Sequence, residues 1–538
     1  MRQAILDGLR NGTTFDLLVI GGGATGLGIA VDAATRGLAV ALVERNDFAE
    51  GTSSRSTKLV HGGVRYLEAA VRHLDRAQYK LVREALHERG ILLRNAPHLT
   101  NRLPLVTPLY SWAEVPYVFA GLKLYDLLSG RMSLGASRLL SRAEALRRFP
   151  MLRAEGLKAG VLYYDGQFVD TRLAATLAMT AAENGALVAN HVAAVALLHD
   201  ESGRVGGARV RDSLAGDEWE IAARVTINAA GPFSDAVRRL DDPAAKPILK
   251  VSSGVHILLD SRFVPPDTGL LIPRTDDGRV LFALPWQGHA IVGTTDEAAA
   301  VTDHPEASEA DIAYLLDYVR RYFDLDAGRG DVRAAWCGLR PLVFDPKAGN
   351  TAALARDHVI IDDPSGLITI AGGKWTTYRL MAEQAVDHAL ATGRLPLAAP
   401  CRTREMRLAG GGRFVPGGEG RLAAEFGLDA DVAAHLHHAF GDRAGSVARL
   451  AAAENLGARL APGLPYIEAE VVHAVRAEAA ERVADVLCRR LTLALVDAGA
   501  AAAALPRAAD LMARERGWDR ARRDAEAELA RRRLAEAI

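Results

Sequence analysis

Apolar residues run from Leu17 to Ile20, stop at Gly21-Gly22-Gly23, and give way to small and apolar residues at helical spacing from Ala24. An apolar run that ends in a glycine cluster predicts a buried strand, a tight turn and a helix N-terminus. A second buried strand is predicted from Leu38 to Val43, ending in Glu44. Leu74, Ala77, Leu81, Ala85 and Leu92 then recur among charges at helical spacing and predict an amphipathic helix over 74–93. Beyond it Pro97, Pro104, Pro108 and Pro116 break the chain repeatedly and mark the start of an inserted domain. Its most aromatic run, Val115 to Tyr125, reads first as core, with a partner surface or a membrane-facing face as the alternatives.

The pattern predicts a helix from Asp170 to Asn184, a strand from Ala186 to Ala196, and a return to the first sheet at Arg224 to Asn228, followed by a turn through Ala229-Ala230-Gly231-Pro232. Short β-type runs at Val255–Leu259, Val280–Trp286 and Ala290–Asp296 predict an antiparallel sheet. A last strand from Leu367 to Ile370 leads through Gly372-Gly373 into a helix. Beyond Pro400, Gly410 to Gly412 and Gly417-Gly418 mark a linker, Tyr466 to Leu495 reads as a buried helix, and Met512 to Ile538 as a charged amphipathic helix. The division that follows is a nucleotide-binding domain over 14–73, 150–250 and 351–397, a substrate domain over 74–149 and 251–350, and a helical cap over 398–538.

Length, charge and cysteines narrow the classes. A chain of 538 residues exceeds what one core supports, so two or three domains are expected. The formal net charge of -1 argues against a nucleic-acid binder. Cys337, Cys401 and Cys488 are scattered, odd in number and without a C-x-x-C pair, which predicts neither a disulfide framework nor a zinc site and fits a reducing, cytoplasmic interior. Met1 to Asp7 holds no apolar segment of a secretion signal, and no apolar run reaches about 18 residues, so no membrane span is expected; contact with a membrane surface stays open.

The glycine cluster carries the first chemistry. In Gly21-x-Gly23-x-x-Gly26, Gly21 permits the turn, Gly23 lets the backbone approach a ligand, and Gly26 lets the helix pack on the strand. The N–H groups and dipole of the helix then face a pyrophosphate, and Glu44, about twenty residues on, stands where a ribose-binding acid belongs. The stretch Gly51 to Leu67 is too dense in hydroxyls, glycines and cations for an ordinary helix and reads as a loop wrapping a polar ligand, its hydroxyls holding phosphate oxygens. Gly373-Lys374 is not a P-loop pair, because Trp375 follows where Ser or Thr is required.

With these residues in place the chain resembles, over nearly its whole length, the FAD-dependent glycerol-3-phosphate dehydrogenases, a branch of the glycine-oxidase-like flavoproteins. The resemblance rests on Gly21 to Gly26, Thr52 to Leu67, Asn228 to Pro232, Gly254 to Ile257, Ile291 to Asp296, Gly338 to Pro341, Arg356-Asp357 and Gly372 to Arg379. It implies an α/β fold: a discontinuous Rossmann-like FAD-binding domain, an inserted α/β substrate domain and a helical C-terminal domain. It implies FAD as cofactor, held by Gly21, Gly23, Ala24, Thr25, Gly26, Glu44, Arg45, Thr52, Ser53, Ser54, Ser56, Lys58, Leu59, His61, Gly62, Gly63, Ala230, Gly231, Gly372, Gly373, Lys374, Trp375 and Thr376.

The activity implied is oxidation of sn-glycerol 3-phosphate at C2 to dihydroxyacetone phosphate, hydride passing to FAD and electrons on to a quinone. A homodimer, cytoplasmic or peripheral on the cytoplasmic face of the membrane, is the family expectation. Arg65, Arg340, Arg356 and Lys374 are expected to converge on the phosphate, whose oxygens match the guanidinium fork. His61 and His256 are the two candidates for accepting the C2 hydroxyl proton. An oxygen-using glycerol-3-phosphate oxidase, an amine or amino-acid oxidase of the same fold, and a flavin-binding protein without turnover are the alternatives.

Overall fold

The computed structural model describes residues 2–64, 67, 75–273, 275–344 and 358–535. Arg65, Arg356, Asp357 and Leu74, all singled out above, lie outside the described residues.

The first sheet has 8 strands. Phe15–Ile20 lies at its centre, parallel to Val40–Val43 on one side and to Glu218–Asn228 on the other. Ile368–Gly372 extends it next to Glu218–Asn228, and Leu187–Ala189 next to Val40–Val43. Leu17, Leu18 and Val19 are wholly buried, as a parallel strand covered on both faces requires. The helices Ala24–Thr35, Asp170–Glu183 and Tyr378–Ala391 share one face and one core. On the other face an antiparallel meander, Val192–His199 and Val205–Asp212, leads into Glu218–Asn228 and packs with the N-terminal helix Arg2–Arg10.

The second sheet has 10 strands and is mostly antiparallel. Leu249–Leu259 pairs with His289–Gly293 and, over its whole length, with Val332–Val343. The helix Glu309–Tyr322 packs in the core on one face, and Glu114–Ser129 in the core on the other. The sequence places residues 59–60 and 159–168 in the nucleotide segments. Both strands, Leu59–Val60 and Ala159–Phe168, hydrogen-bond into this second sheet instead.

Several other expectations change. Pro104 and Pro108 do not interrupt the chain: both lie inside the ten-residue strand Thr100–Leu109. Residues four apart turn their nitrogens to the same edge, and one edge of this strand is paired only at Leu105 and Val106, so two missing donors are tolerated. Pro116 sits in the first turn of Glu114–Ser129, where a missing N–H costs nothing. Only one face of that helix is core; Tyr117 and Leu127 are exposed on the other. The strand expected over 186–196 is two, because His191 has a φ of +55° and breaks the run. Gly410 to Gly412 form no loose linker, since a Cβ on Gly410 would stand 2.6 Å from the Phe440 carbonyl oxygen. The buried segment after Tyr466 is a helix, Glu468–Ala477, followed by a π-turn at Val486–Arg490. Gly517, at φ +65°, ends Ala498–Arg516, so the terminal helix begins at Arg520.

Candidate active site

A single cavity of about 670 Å³ runs from the nucleotide turn to the second sheet. Its first wall is the turn after Phe15–Ile20. Gly21 has a φ of +116°, and a Cβ there would stand 2.6 Å from the Ala229 carbonyl oxygen. A Cβ on Gly26 would stand 1.9 Å from the Gly21 carbonyl oxygen, so helix and turn can meet only if this residue is glycine. Gly22 N–H and Asn46 N–H both donate to the Glu44 carboxylate, at 2.7 and 2.9 Å, which fixes that acid at the strand end. The N-terminus of Ala24–Thr35 opens on the cavity, bringing the positive end of its dipole.

Of the positions expected to hold FAD, Gly21, Gly23, Ala24, Thr25, Glu44, Arg45, Thr52, Ser53, Ser56, Leu59, His61, Gly63, Ala230, Gly231, Gly372, Gly373, Lys374, Trp375 and Thr376 line this cavity. Gly26, Ser54, Lys58 and Gly62 do not. Lys58 is wholly buried behind the loop, where Nζ donates to both Asp170 oxygens and to the Ser54 carbonyl, each at 2.7 Å. The hydroxyls of Thr52 and Ser56, expected to meet phosphate, donate to the Leu339 carbonyl and to Asp170. Ser53 differs. Its Oγ accepts from Ala24 N–H at 3.0 Å, which leaves the hydroxyl proton for an anion at the helix N-terminus. The Gly372-Gly373 turn pins the same loop, with Trp375 Nε1 donating to the Ser53 carbonyl and Thr376 Oγ1 donating to that of His61.

His61, His256 and Arg340, on or beside strands of the second sheet, line the cavity together with Lys374, which follows Ile368–Gly372 of the first sheet. His256 is buried, its Nε2 2.9 Å from Thr57 Oγ1 and its ring stacked on Trp336 at 5.5 Å. Burial, with the charges of Arg340 and Lys58 close by, holds its imidazole well below the usual histidine range, so it is neutral at physiological pH. A Cβ on Gly293 would stand 2.3 Å from the His256 ring, so this glycine makes the ring's space. Arg340 Nη1 donates to the Ser253 carbonyl and to Asp296, and Nη2 to Thr294 Oγ1 and the Thr295 carbonyl, at 2.9 to 3.2 Å. These bonds take up the fork expected to meet phosphate, and Arg340 presents a fixed positive charge instead.

Sequence reasoning missed other residues of the wall. Arg55, Arg279, Thr57, Asp165 and Phe282 all line the cavity. Gly62 N–H donates to Tyr125 Oη, which donates to Asp165, which also accepts from Arg89. This buried chain fixes the His61-Gly62-Gly63 turn through Tyr125, 63 residues on in sequence, a distance at which no local pattern signals it. Arg55 stood in plain view inside the loop motif, and its cation adjacent to hydroxyls was the available signal.

A cavity lined by a glycine turn, a strand-end acid, two histidines and several cations fits an oxidoreductase that uses a dinucleotide. The FAD dependent oxidoreductase family matches over residues 16–379, and the C-terminal domain of alpha-glycerophosphate oxidase over residues 401–523. The chain is 49% identical over 543 residues to the mitochondrial glycerol-3-phosphate dehydrogenase of Rattus norvegicus, covering 99% of this chain and 74% of that protein. It is 47% identical over 535 residues to the mitochondrial glycerol-3-phosphate dehydrogenase of Arabidopsis thaliana, covering 96% and 85%. The solved structure of the Bacillus halodurans glycerol-3-phosphate dehydrogenase complexed with FAD superposes with a TM-score of 0.80 at 31% identity, covering 100% of this chain and 97% of that one. The chain belongs to the FAD-dependent glycerol-3-phosphate dehydrogenase family.

Proposed function

We propose that the protein oxidises sn-glycerol 3-phosphate at C2 to dihydroxyacetone phosphate and delivers the electrons to a quinone. The observation that carries the reading is that Arg340, Lys374, His256 and His61 line the same cavity as the glycine turn and Glu44 of a dinucleotide site. Bound FAD supplies the acceptor for the hydride that leaves C2. The chain's own residues do the rest. The nucleotide turn, Ser53 and Glu44 hold the dinucleotide. Arg340, immobilised by Asp296 and Thr294, and Lys374, on its glycine turn, set up the positive wall that favours a phosphorylated polyol over glycerol.

Burial, with the charges of Arg340 and Lys58 close by, makes His256 costly to charge and disfavours it as the proton acceptor. It fits the role of a neutral hydrogen-bonding group, fixed by Thr57 and Trp336. His61, half-buried and facing the edge of Phe282 at 6.1 Å, is the proton acceptor in this reading.

Among the described residues no helix is long and apolar enough to cross a membrane. Contact with a membrane surface, where quinone resides, is supported by Trp112, Tyr117 and Leu127, which are 65%, 45% and 75% exposed on or just before one helix. A cytoplasmic-side location and a homodimer belong to the same reading and rest on the family resemblance. The test is a turnover assay with glycerol 3-phosphate and a soluble quinone analogue. Dihydroxyacetone phosphate and reduced quinone forming one for one, without peroxide, are expected; peroxide formed from oxygen at a similar rate would make the protein an oxidase.

A further inference from the structure

The strand Val40–Val43 ends in a turn, residues 44–51, whose Glu44, Arg45, Asn46, Ala49, Glu50 and Gly51 line the nucleotide end of the cavity. Asp47 lies behind that wall and is wholly buried. Its carboxylate receives residues from the far end of the chain. Arg490 donates through Nη1 to Oδ2 at 2.7 Å and through Nη2 to Oδ1 at 2.9 Å, and Arg489 Nε donates to Oδ2 at 2.5 Å. Arg489 also reaches Glu50 at 3.2 Å and Asp485 at 2.8 Å.

Two consecutive residues of a regular helix diverge by about 100°. Here both guanidiniums reach one carboxylate from Val486–Arg490, a π-turn, a device that recurs at functional sites. The contact is anchored on both sides. Arg490 Nε donates to the Glu478 carbonyl, and Glu478 grips Arg172 of the nucleotide domain at 2.7 Å through both oxygens. Asn190 Nδ2 bridges Asp47 and the Ala479 carbonyl, both at 2.8 Å. On the outer side, Arg533 of the terminal helix Arg520–Ala535 reaches Glu50 at 3.6 Å and pairs with His304, whose neighbours Asp303 and Pro305 line the same end of the cavity. Asp47, His191 and Asp485 bring their ligand atoms within 4.8 Å of one another, as a metal triad would. The Arg489 guanidinium bridges Asp47 and Asp485, and that guanidinium is the cation the acids hold.

We propose that the C-terminal domain is a cofactor-retention element: through Arg489, Arg490 and Arg533 it holds the 44–51 turn in the shape that grips the adenosine half of FAD. These three are positioning residues, acting through Asp47 and Glu50 on Glu44 and Arg45. The inference rests on FAD occupying the cavity and is independent of which alcohol is oxidised.

The test measures dissociation constants of FAD and of FMN, which lacks the adenosine half, for the deflavinated full chain and its Arg490→Met, Asp47→Asn and Arg533→Ala variants. Tenfold or weaker FAD binding is expected for Arg490→Met and Asp47→Asn, with FMN binding changed less than twofold. The double variant should be no weaker than the worse single one, as for two ends of one interaction. Arg533→Ala, on a partly exposed side chain, leaves the fold intact and should release FAD at least threefold faster. Equal loss for FAD and FMN, or unchanged FAD binding in folded Arg490→Met, overturns the proposal; if the buried variants do not fold, an unchanged release rate in Arg533→Ala does so. A parent chain that binds no FAD would instead defeat the assignment of the cavity itself.

Discussion

Gly254 lies so close beneath Arg340 that a Cβ built on it would stand 2.2 Å from Nη2 and 2.5 Å from Cζ. The two residues are diagonal neighbours on Leu249–Leu259 and Val332–Val343, where Ser252 pairs with Arg340 and Gly254 with Gly338. The obstacle is the far end of a flexible side chain, so Gly254→Ala is expected to fold with little loss of stability while Arg340 is driven from Thr294 and Asp296. The expected result is a fall of tenfold or more in kcat/KM for glycerol 3-phosphate, about 1.4 kcal/mol or more of transition-state stabilisation. An unchanged kcat/KM with a normal melting temperature would remove Arg340 from the site.

The positive wall makes a prediction about selectivity. Lys374→Ala removes a charge on the cavity wall and is expected to lower kcat/KM for glycerol 3-phosphate by roughly 2–4 kcal/mol, about 30- to 1,000-fold. With glycerol, which has no phosphate, the same substitution should change kcat/KM by less than about threefold. Equal losses on both substrates would show that Lys374 acts on the fold or the cofactor rather than on the phosphate.

His98 sets an acid limit. Burial, then the Arg172 charge, then His438, Arg443 and His437, push its imidazole down to about 3. Its Nδ1 has no hydrogen-bond partner among the described residues. The unfolded chain therefore binds a proton near pH 6.5 that the folded chain refuses, so the contribution of His98 is complete above about pH 6.5 and is lost as the pH falls toward 3. The loss for a fully buried group is about 1.4 kcal/mol per pH unit. Thermal melts from pH 7 to pH 4 should fall less steeply in His98→Gln than in the parent. Parallel curves would show that His98 is reached by solvent.

Lys58 and Asp170 are both fully buried and form an ion pair with each other. Lys58→Met leaves the carboxylate uncompensated and is expected to cost about 3–5 kcal/mol in denaturant unfolding. A cost below about 1 kcal/mol would mean that the pair holds nothing together, and that Lys58 is available to the cofactor after all.

The contrast between Lys58 and Ser53 shows how far the sequence could be read. Both stand in one hydroxyl- and cation-rich loop, and composition alone gives them the same role. Only the fold separates them, because the partner of Lys58 is Asp170, more than a hundred residues on, while that of Ser53 is the helix N-terminus at Ala24. The glycine turn, Glu44 and the central strands were legible because each is a local pattern whose period or spacing states its geometry. Residues 159–168 fall in the nucleotide segment by their place along the chain, and Ala159–Phe168 joins the second sheet, because place along the chain does not state which sheet edge a strand joins. Thr100–Leu109 was read as broken because proline reports a missing donor and not whether the neighbouring edge needs it. The Asp47–Arg490 contact joins residues 443 apart, and no pattern within either segment announces it.

The most direct measurement is the anaerobic visible spectrum of the purified protein before and after glycerol 3-phosphate, with glycerol and an amino acid as controls. An oxidised flavin band that is present at the outset and bleaches rapidly with glycerol 3-phosphate alone is the predicted result. A flavin that stays oxidised with glycerol 3-phosphate and bleaches with the amino acid, or the absence of flavin from the protein, would contradict it.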